Sequence, residues 1–442
     1  GKAPSNLEYS RYKIITCEVQ EMFDGIRITN ERLITASGLS VAGLLLSRTQ
    51  LAKRLNEYRL KDNANPHIKN SDVAFAYIGL LCQGKSDFDY IREMDSDPDF
   101  YCKALGIHEI PSSETLRQRL DMVVGRWRPL ILEENVNMLN GVHVDLTPCL
   151  ENYIPLDIDV SPFDNSGTKK QGVARTYKGY DGYAPIFAYL GMEGYLINAE
   201  LRKGSDHCQK NTVPFLKESI ELAKRLTDQP LLARLDAGND SGDNIRLFFE
   251  PDVACDFLIK RNLRSESPEI WLDIAKEEKS KIEHPRNGKT VYTGSVYWHV
   301  DGCDQRIRIV YRVIERTIKS DGQMLLVPEI EAETWWTSLK LPEAQIIELY
   351  NNHGTCEQFH SEIKTDMDLE RLPSGKFETN SLVLNLAILA YNILRLMGQE
   401  SIKQNDAPMR KMAKRRRIRT VIQNLILIAT RVVRHARKTY LN

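Results

Sequence analysis

From residue 29 to about residue 127 apolar positions recur at helical spacing, broken by short Asp, Gly and Pro turns. Thr35-Ala-Ser-Gly-Leu39 opens an apolar stretch to Leu46, and Ser71 to Leu81 repeats the spacing. Pro111-Ser112-Ser113-Glu114 predicts a helix start, with serine as N-cap and an acid in the first turn. Such helices fit a helix-turn-helix DNA reader and fit a plain helical bundle equally well. The period changes after Gly141. Ile154, Leu156, Ile158 and Val160 alternate with Pro155, Asp157 and Asp159, which predicts a strand. Strands follow at residues 183–190 and 195–201, then an amphipathic helix over 213–226. An apolar strand over 230–235 ends at Asp236, a short helix covers 242–249, and a strand covers 255–259. Three consecutive strands followed by helix–strand alternation predict an α/β sheet with an antiparallel and a parallel part.

Residues 262–340 interrupt that alternation. Residues 289–299 and 305–314 alternate strongly and predict a β-rich insertion, which carries Trp298, with Trp335-Trp336 at its exit. Helical spacing returns after Pro342, and an apolar helix runs from Leu382 to Met397. Asn385, Asn392 and Arg395 interrupt that helix, so a membrane-spanning role is disfavoured. The polar N-terminal stretch has no apolar core of a secretion signal. The divisions are residues 1–140 (helical), 141–261 (α/β), 262–340 (β-rich), 341–398 (helical) and 399–442 (a basic, helical tail).

Charge narrows the function classes. The 442 residues hold 60 Lys and Arg against 60 Asp and Glu, so no global positive charge argues for nucleic acid. The tail differs: residues 403–438 hold twelve Lys or Arg and one acid, Asp406. Within it Arg410-Lys411 and Lys414-Arg415-Arg416-Arg417-Ile-Arg419 form a candidate contact to a DNA backbone, the bland alternative being a solvated face. The eight cysteines form no CxxC pair, which disfavours a zinc finger and predicts reduced thiols in a cytoplasmic protein.

Three acids stand out. Asp159 ends the first strand, Asp236 ends the strand after the first helix, and Glu357 lies in a helix beyond the insertion. Carboxylates at neighbouring strand ends converge at one sheet edge, and a packed helix can add a third. Hard oxygen ligands of this kind suit Mg²⁺ or Mn²⁺, and two such ions can assist both ends of a phosphoryl transfer. Tyr350 and Lys364 each lie seven residues from Glu357, about two helical turns, hence on one helix face. Trp298 and Trp335-Trp336 are candidates for stacking on a base or for core packing. Ser361-Glu-Ile-Lys364 and Gly288-Lys-Thr290 match short hydrolase and P-loop patterns only in part and carry no assignment.

The segment Tyr350-Asn-Asn-His353-Gly-Thr-Cys-Glu357-Gln-Phe-His-Ser-Glu-Ile-Lys364 resembles the tyrosine–arginine–glutamate–lysine signature of DDE transposases from bacterial insertion sequences. Tyr350, Glu357 and Lys364 match its spacing, and His353 stands where the family has arginine. Leu156-Asp-Ile-Asp-Val-Ser161 resembles the first acidic strand, favouring Asp159 over Asp157, and Arg234-Leu-Asp236-Ala-Gly238 resembles the second motif. Leu372-Pro-Ser-Gly-Lys376, with Asn380 and Asn392, is similar to the insertion sequence 1380 group. The resemblance spans residues 110–400. It implies an α/β, ribonuclease H-like catalytic domain in two parts, residues 141–261 and 341–398, interrupted by a β-strand insertion, residues 262–340, and preceded by a helical DNA-binding region, residues 1–140, with Asp159, Asp236 and Glu357 binding two Mg²⁺ ions, or Mn²⁺ in substitution. Tyr350, His353, Lys364, Arg415, Arg416, Arg417 and Trp298 would contact DNA. It further implies double-stranded DNA at transposon ends and target DNA as partners, a homodimer on paired ends, and a bacterial cytoplasmic, nucleoid-associated location. A transposase-derived DNA-binding protein and a ribonuclease H-like nuclease without strand transfer are the alternatives.

Overall fold

The computed structural model describes residues 31–59, 66–150, 152–403, 414–435 and 438–442, which divide into a small unit (described residues 31–37 and those from 428 on) and a large one (those within Gly38–Leu427). Arg410 and Lys411 lie outside the described residues.

In the small unit, strand β1 (Leu33–Ile34) pairs with β14 (Thr430–His435), which pairs with β15 (Lys438–Leu441), all antiparallel. The predicted helical tail is corrected here. Its described part is one helical turn, Ile418–Val421, a π turn, Ile422–Ile426, and then two strands. Thr430, Val432 and Val433 are β-branched, and their preference for a pleated backbone prevails over the helical spacing.

The large unit begins with helices over Leu39–Ser47, Leu51–Glu57, Asn70–Leu81, Pro98–Leu105, Ser113–Met122 and Arg128–Gly141. The start predicted at Ser112 is present: its Oγ accepts the Thr115 amide at 3.1 Å. A buried helix of 26 residues, Phe377–Ile402, runs through this unit. It is long and apolar enough to cross a membrane, yet its apolar window is 94% buried within the protein. Its asparagines have partners: Asn392 bonds the backbone of Leu196 and the side chain of Asn135. Those bonds remove the penalty that an unpaired buried amide carries.

A nine-stranded sheet holds the site. Its strands are β2 (Ile154–Val160), β6 (Ile186–Leu190), β7 (Tyr195–Glu200), β8 (Leu231–Leu235), β9 (Asp256–Lys260), β10 (Lys281–Arg286), β11 (Lys289–Trp298), β12 (Ile307–Ile318) and β13 (Met324–Thr337). Their order is β10-β11-β12-β13-β9-β8-β2-β6-β7. Pairing of β2 with β8 and of β8 with β9 is parallel, and every other pairing is antiparallel. The helix Thr212–Lys224 connects β7 to β8. The segment 262–340 contains the helix Pro268–Glu277 and β10–β13, and it continues the same sheet through the pairing of β13 with β9. A separate three-stranded sheet has the order β3 (Phe163–Asp164), β5 (Asp181–Tyr183), β4 (Ala174–Arg175).

The helix Glu343–Asn351 packs onto this sheet through Ile346, Ile347 and Leu349, which join Leu232, Leu258, Val310, Trp335 and Leu339 in one core cluster. Each such side chain contributes about 1.5–3 kcal/mol by burial. This packing delivers the chain to the sheet edge where Asp159 and Asp236 lie.

Candidate active site

Asp159 is the penultimate residue of β2, and Asp236 directly follows β8. The two strands are adjacent and parallel, with Ile158 opposite Leu235, so both acids emerge at the same edge. Beyond Asn351 the chain does not continue as one α-helix. It passes through a 3-10 turn (Asn352–Thr355), a short α-helix (Cys356–Ser361) and a π turn (Glu362–Asp366). Phe359 anchors it: a Cβ on Gly194, in the β6–β7 turn, would lie 2.1 Å from the Phe359 ring. Glu362 fixes the next turn through the buried Arg395 guanidinium.

These elements enclose a cleft of about 780 Å³ lined by Asp159, Asp236, Glu357, Tyr350, His353 and Lys364, among others. All three predicted acids and all three predicted partners of the signature segment are therefore brought together. The Glu357 carboxylate is exposed and has no hydrogen bond or ion pair with a described residue. Asp159 accepts the Val160 amide at 2.7 Å, and its Oδ2 lies 3.1 Å from His360 Nε2. Burial alone would raise its carboxyl, but the His360 hydrogen bond and charge outweigh burial and hold it below the usual range. Asp236 goes the other way: burial, and next the charge of Asp159, hold it above the usual range. Asn239 donates to its Oδ1 at 2.7 Å. Two neighbouring carboxylates, one of which raises the proton affinity of the other, form an electronegative pocket with hard oxygen donors, which fits a divalent cation.

The small residues after Asp236 have a steric reason. A Cβ on Gly238 would lie 3.2 Å from Asp236 Oδ2 and 3.3 Å from Cys208 Sγ. A larger residue would push the carboxylate out of place.

Asp157 is in a different situation. Arg234 grips it with two bonds, Nε to Oδ1 at 2.6 Å and the terminal nitrogen to Oδ2 at 2.7 Å. His353 Nδ1 lies 3.0 Å from the same Oδ1. Burial alone would raise Asp157, but the Arg234 charge and then His353 hold it down at about 2. Among the described residues, Asp157, His353 and Cys356 are the one group of three whose ligand atoms lie within 4.8 Å of one another. That group is a buried ion-pair network and a poor metal site. The guanidinium already neutralises Asp157, and burial holds the Cys356 thiol well above its usual range, hence protonated. His353 lines the cleft, yet its ring is buried and lies against Asp157.

Tyr350 is half-buried against the core, with its ring 5.8 Å from those of Trp335 and His353. Lys364 sits in the π turn, 5.7 Å over the Phe163 ring. Burial first, and the charge of Lys178 second, pull its ammonium down to about 8.

The remaining predicted DNA contacts lie elsewhere. Arg415 stacks 4.6 Å over Phe359 and donates to Gln358 and to the Met192 carbonyl. Arg417 pairs with Asp366 at 2.8 Å, and the Arg416 carbonyl accepts from Arg395. These arginines fasten the chain onto the Glu357 segment. Trp298 stacks on Trp271 at 5.2 Å, and Arg261 lies 4.9 Å over its ring, so its exposed face is only partial. Trp335 is buried, and Trp336 donates to Asp240 at 2.9 Å.

Sequence reasoning missed His360, Tyr177 and Lys178. His360 had a readable signal, since Glu357-x-x-His360 places both on one helical face. Tyr177 and Lys178 lie in a turn with no local pattern, yet both line the cleft.

A family model described as Transposase DDE domain group 1 matches residues 14–442. Among solved structures, the chain is similar to one described as the cryo-EM structure of a piggyBac transposase synaptic complex with hairpin DNA. Identity is 11%, the match covers 89% of this chain and 80% of that chain, and the TM-score is 0.43. No curated protein matches the chain.

Proposed function

We propose, from the premise that this chain belongs to the transposase DDE domain group 1 family, that it cuts DNA at the ends of a mobile element and joins the freed 3′-OH to a second phosphodiester. The observation that carries this reading is the single cleft shared by Asp159, Asp236, Glu357 and Lys364. In it the sheet would serve as a ribonuclease H-like platform, with β10–β13 as its insertion. The element would be a bacterial insertion sequence similar to the 1380 group, and the protein would act as a homodimer on paired ends.

Asp159, Asp236 and Glu357 would hold Mg²⁺, with Mn²⁺ as substitute; when bound, such cations supply the positive charge that activates an attacking oxygen and stabilises a leaving one. The chain's own residues do the positioning. Val160 and His360 fix the rotamer of Asp159, Asn239 fixes Asp236, and Phe359 seated on Gly194 sets the height of Glu357. Lys364 and Tyr350 line the same cleft and would receive the DNA backbone. Asp157 takes no part, because Arg234 holds both of its oxygens. The reading is direct in-line displacement, without a covalent protein–DNA link.

The test mixes the protein with Mg²⁺ and labelled duplexes carrying its own element's ends, and separates nicked, hairpin and joined products. Cutting and joining that disappear in Asp159→Asn, Asp236→Asn and Glu357→Gln, with end binding retained, support the reading. Binding without cutting in the wild type assigns a DNA-binding derivative. Cutting without joining assigns a nuclease.

A further inference from the structure

We propose that Lys178, at the tip of the β4–β5 hairpin, and Lys364, in the π turn, form one oxyanion subsite that grips a backbone phosphodiester of the DNA; this rests on the transposase reading above. Neither the signature segment nor the family motifs include Lys178.

The hairpin tip is a rigid piece. Both the amide and the hydroxyl of Thr176 donate to the Tyr180 carbonyl, at 2.9 and 2.8 Å. The Gly179 amide donates to the Thr176 carbonyl at 3.0 Å, with φ +84° at Gly179, a conformation that a side chain would strain. Two tyrosines then tie the tip to the chain just beyond Asp159. The Tyr177 hydroxyl donates to the Val160 carbonyl at 3.3 Å, and the Tyr180 hydroxyl donates to the Pro162 carbonyl at 3.0 Å. The effect is to hold Tyr177 and Lys178 over the same cleft that Glu357 and Lys364 line from the other side.

Lys178 is exposed and has no ion pair with a described residue, and no carboxylate pairs with Lys364 either. Their charges nevertheless act on one another, and with burial they disfavour the Lys364 ammonium. Lys178 and Lys364 repel each other in one cleft, Asp159 and Glu370 offset part of that repulsion, and an anion entering beside the two lysines relieves the rest. The cleft is thus polar along its length. Asp159, Asp236 and Glu357 supply negative charge, and Lys178 and Lys364 supply positive charge. A phosphodiester whose bridging region lies among the carboxylates would place a neighbouring phosphate within reach of the lysines.

The test compares wild type with Lys178→Gln, Lys178→Arg and, as a control for simple charge loss, Lys169→Gln; Lys169 is an exposed neighbour that does not line the cleft. The readouts are affinity for a fluorescein-labelled duplex of random sequence across a salt series, and Mn²⁺-dependent nicking of supercoiled plasmid. Lys178→Gln should weaken binding on the order of fivefold and flatten log affinity against log salt by about 0.9, the value for one neutralised phosphate. Lys178→Arg should restore both, and Lys169→Gln should change neither. Wild type that nicks, together with Lys178→Gln indistinguishable from Lys169→Gln, overturns the subsite and leaves the transposase reading intact. Wild type that fails to nick overturns the transposase reading and the subsite with it. The series is repeated with inorganic phosphate replacing chloride at equal ionic strength. A Lys178 effect that shrinks because phosphate competes with DNA supports the subsite, whereas phosphate held at the pair and not displaced by DNA assigns it to free phosphate and overturns the DNA assignment.

Discussion

Asp157 and Asp159 lie one pleat apart on the same strand and the same face, and the protein treats them in opposite ways. Asp157 meets Arg234 from the neighbouring strand and His353 from the turn above, and its charge is neutralised internally. Asp159 has a histidine on one oxygen and a second carboxylate beside it, Asp236, whose proton affinity its charge raises. The difference teaches how to tell a structural acid from a working one. The structural acid is electrically complete within the fold, whereas the working one waits for charge from outside.

The sharpest way to break this contrast is to neutralise each acid in turn. Asp159→Asn should reduce DNA cleavage by about a thousandfold or more, since a cation ligand is lost, while thermal unfolding stays near the wild-type midpoint. Asp157→Asn should do the reverse to stability. Leaving the Arg234 guanidinium buried without its partner costs about 3–5 kcal/mol, read as a lower denaturant midpoint. The double change Asp157→Leu/Arg234→Met should recover much of that loss, because the buried pair is then replaced by apolar packing. Unimpaired stability in Asp157→Asn would sink the distinction.

Metal addition sharpens it further. A cation that binds only the folded protein stabilises it by about 2.7 kcal/mol at a hundred times its dissociation constant. Mg²⁺ should therefore raise the melting temperature of the wild type and of Asp157→Asn, EDTA should reverse the shift, and Asp159→Asn should show none. A smaller effect is expected from His360→Gln, which removes the hydrogen bond that orients Asp159. Loss of such an orienting partner lowers metal affinity by about 10–100-fold, so the Mg²⁺ requirement for cleavage should rise while activity at saturating metal changes little.

The smallest effect concerns pH. Lys364 titrates near pH 8, so its ammonium attracts phosphate below that pH and is lost as pH rises through it. DNA affinity should fall a few-fold across that range, and Lys364→Arg, which stays cationic, should flatten the profile. Parallel profiles for the two proteins would show that Lys364 does not touch the backbone.

Much of this architecture was legible in the chain because it rests on local periodicity. The alternation of β2, the apolar runs of β8 and β9, and the long buried helix each declare themselves within a dozen or so residues. The acids were legible through strand-end position and motif spacing. What escaped was non-local. Nothing near Arg234 announces that it will neutralise Asp157, because that requires knowing that β2 and β8 are neighbours. The strand β13 was missed although Glu329, Glu331 and Glu333 alternate with Ile330, Ala332 and Thr334; what the chain does not announce is that their partners Arg316 and Arg312 lie on the facing strand. The arginines at 415–417 read as a free basic run, but Gln358, Asp366 and Phe359 are assembled around them only by the fold.

The rung that joins Lys260 to Trp335 has a consequence for how such a chain can grow. The polypeptide leaves β9, adds β10, β11 and β12 to the same sheet, and returns beside β9 on β13, so departure and return points are held side by side. Lengthening the intervening excursion then incurs only the slow logarithmic rise of loop closure, about 0.6 kcal/mol for each doubling. Trimming has a limit, because Val310 of β12 and Trp335 of β13 belong to the core on which the helix Glu343–Asn351 rests. Growth confined to the outer turns of the excursion would therefore lengthen the chain between Asp236 and Glu357 without moving either carboxylate.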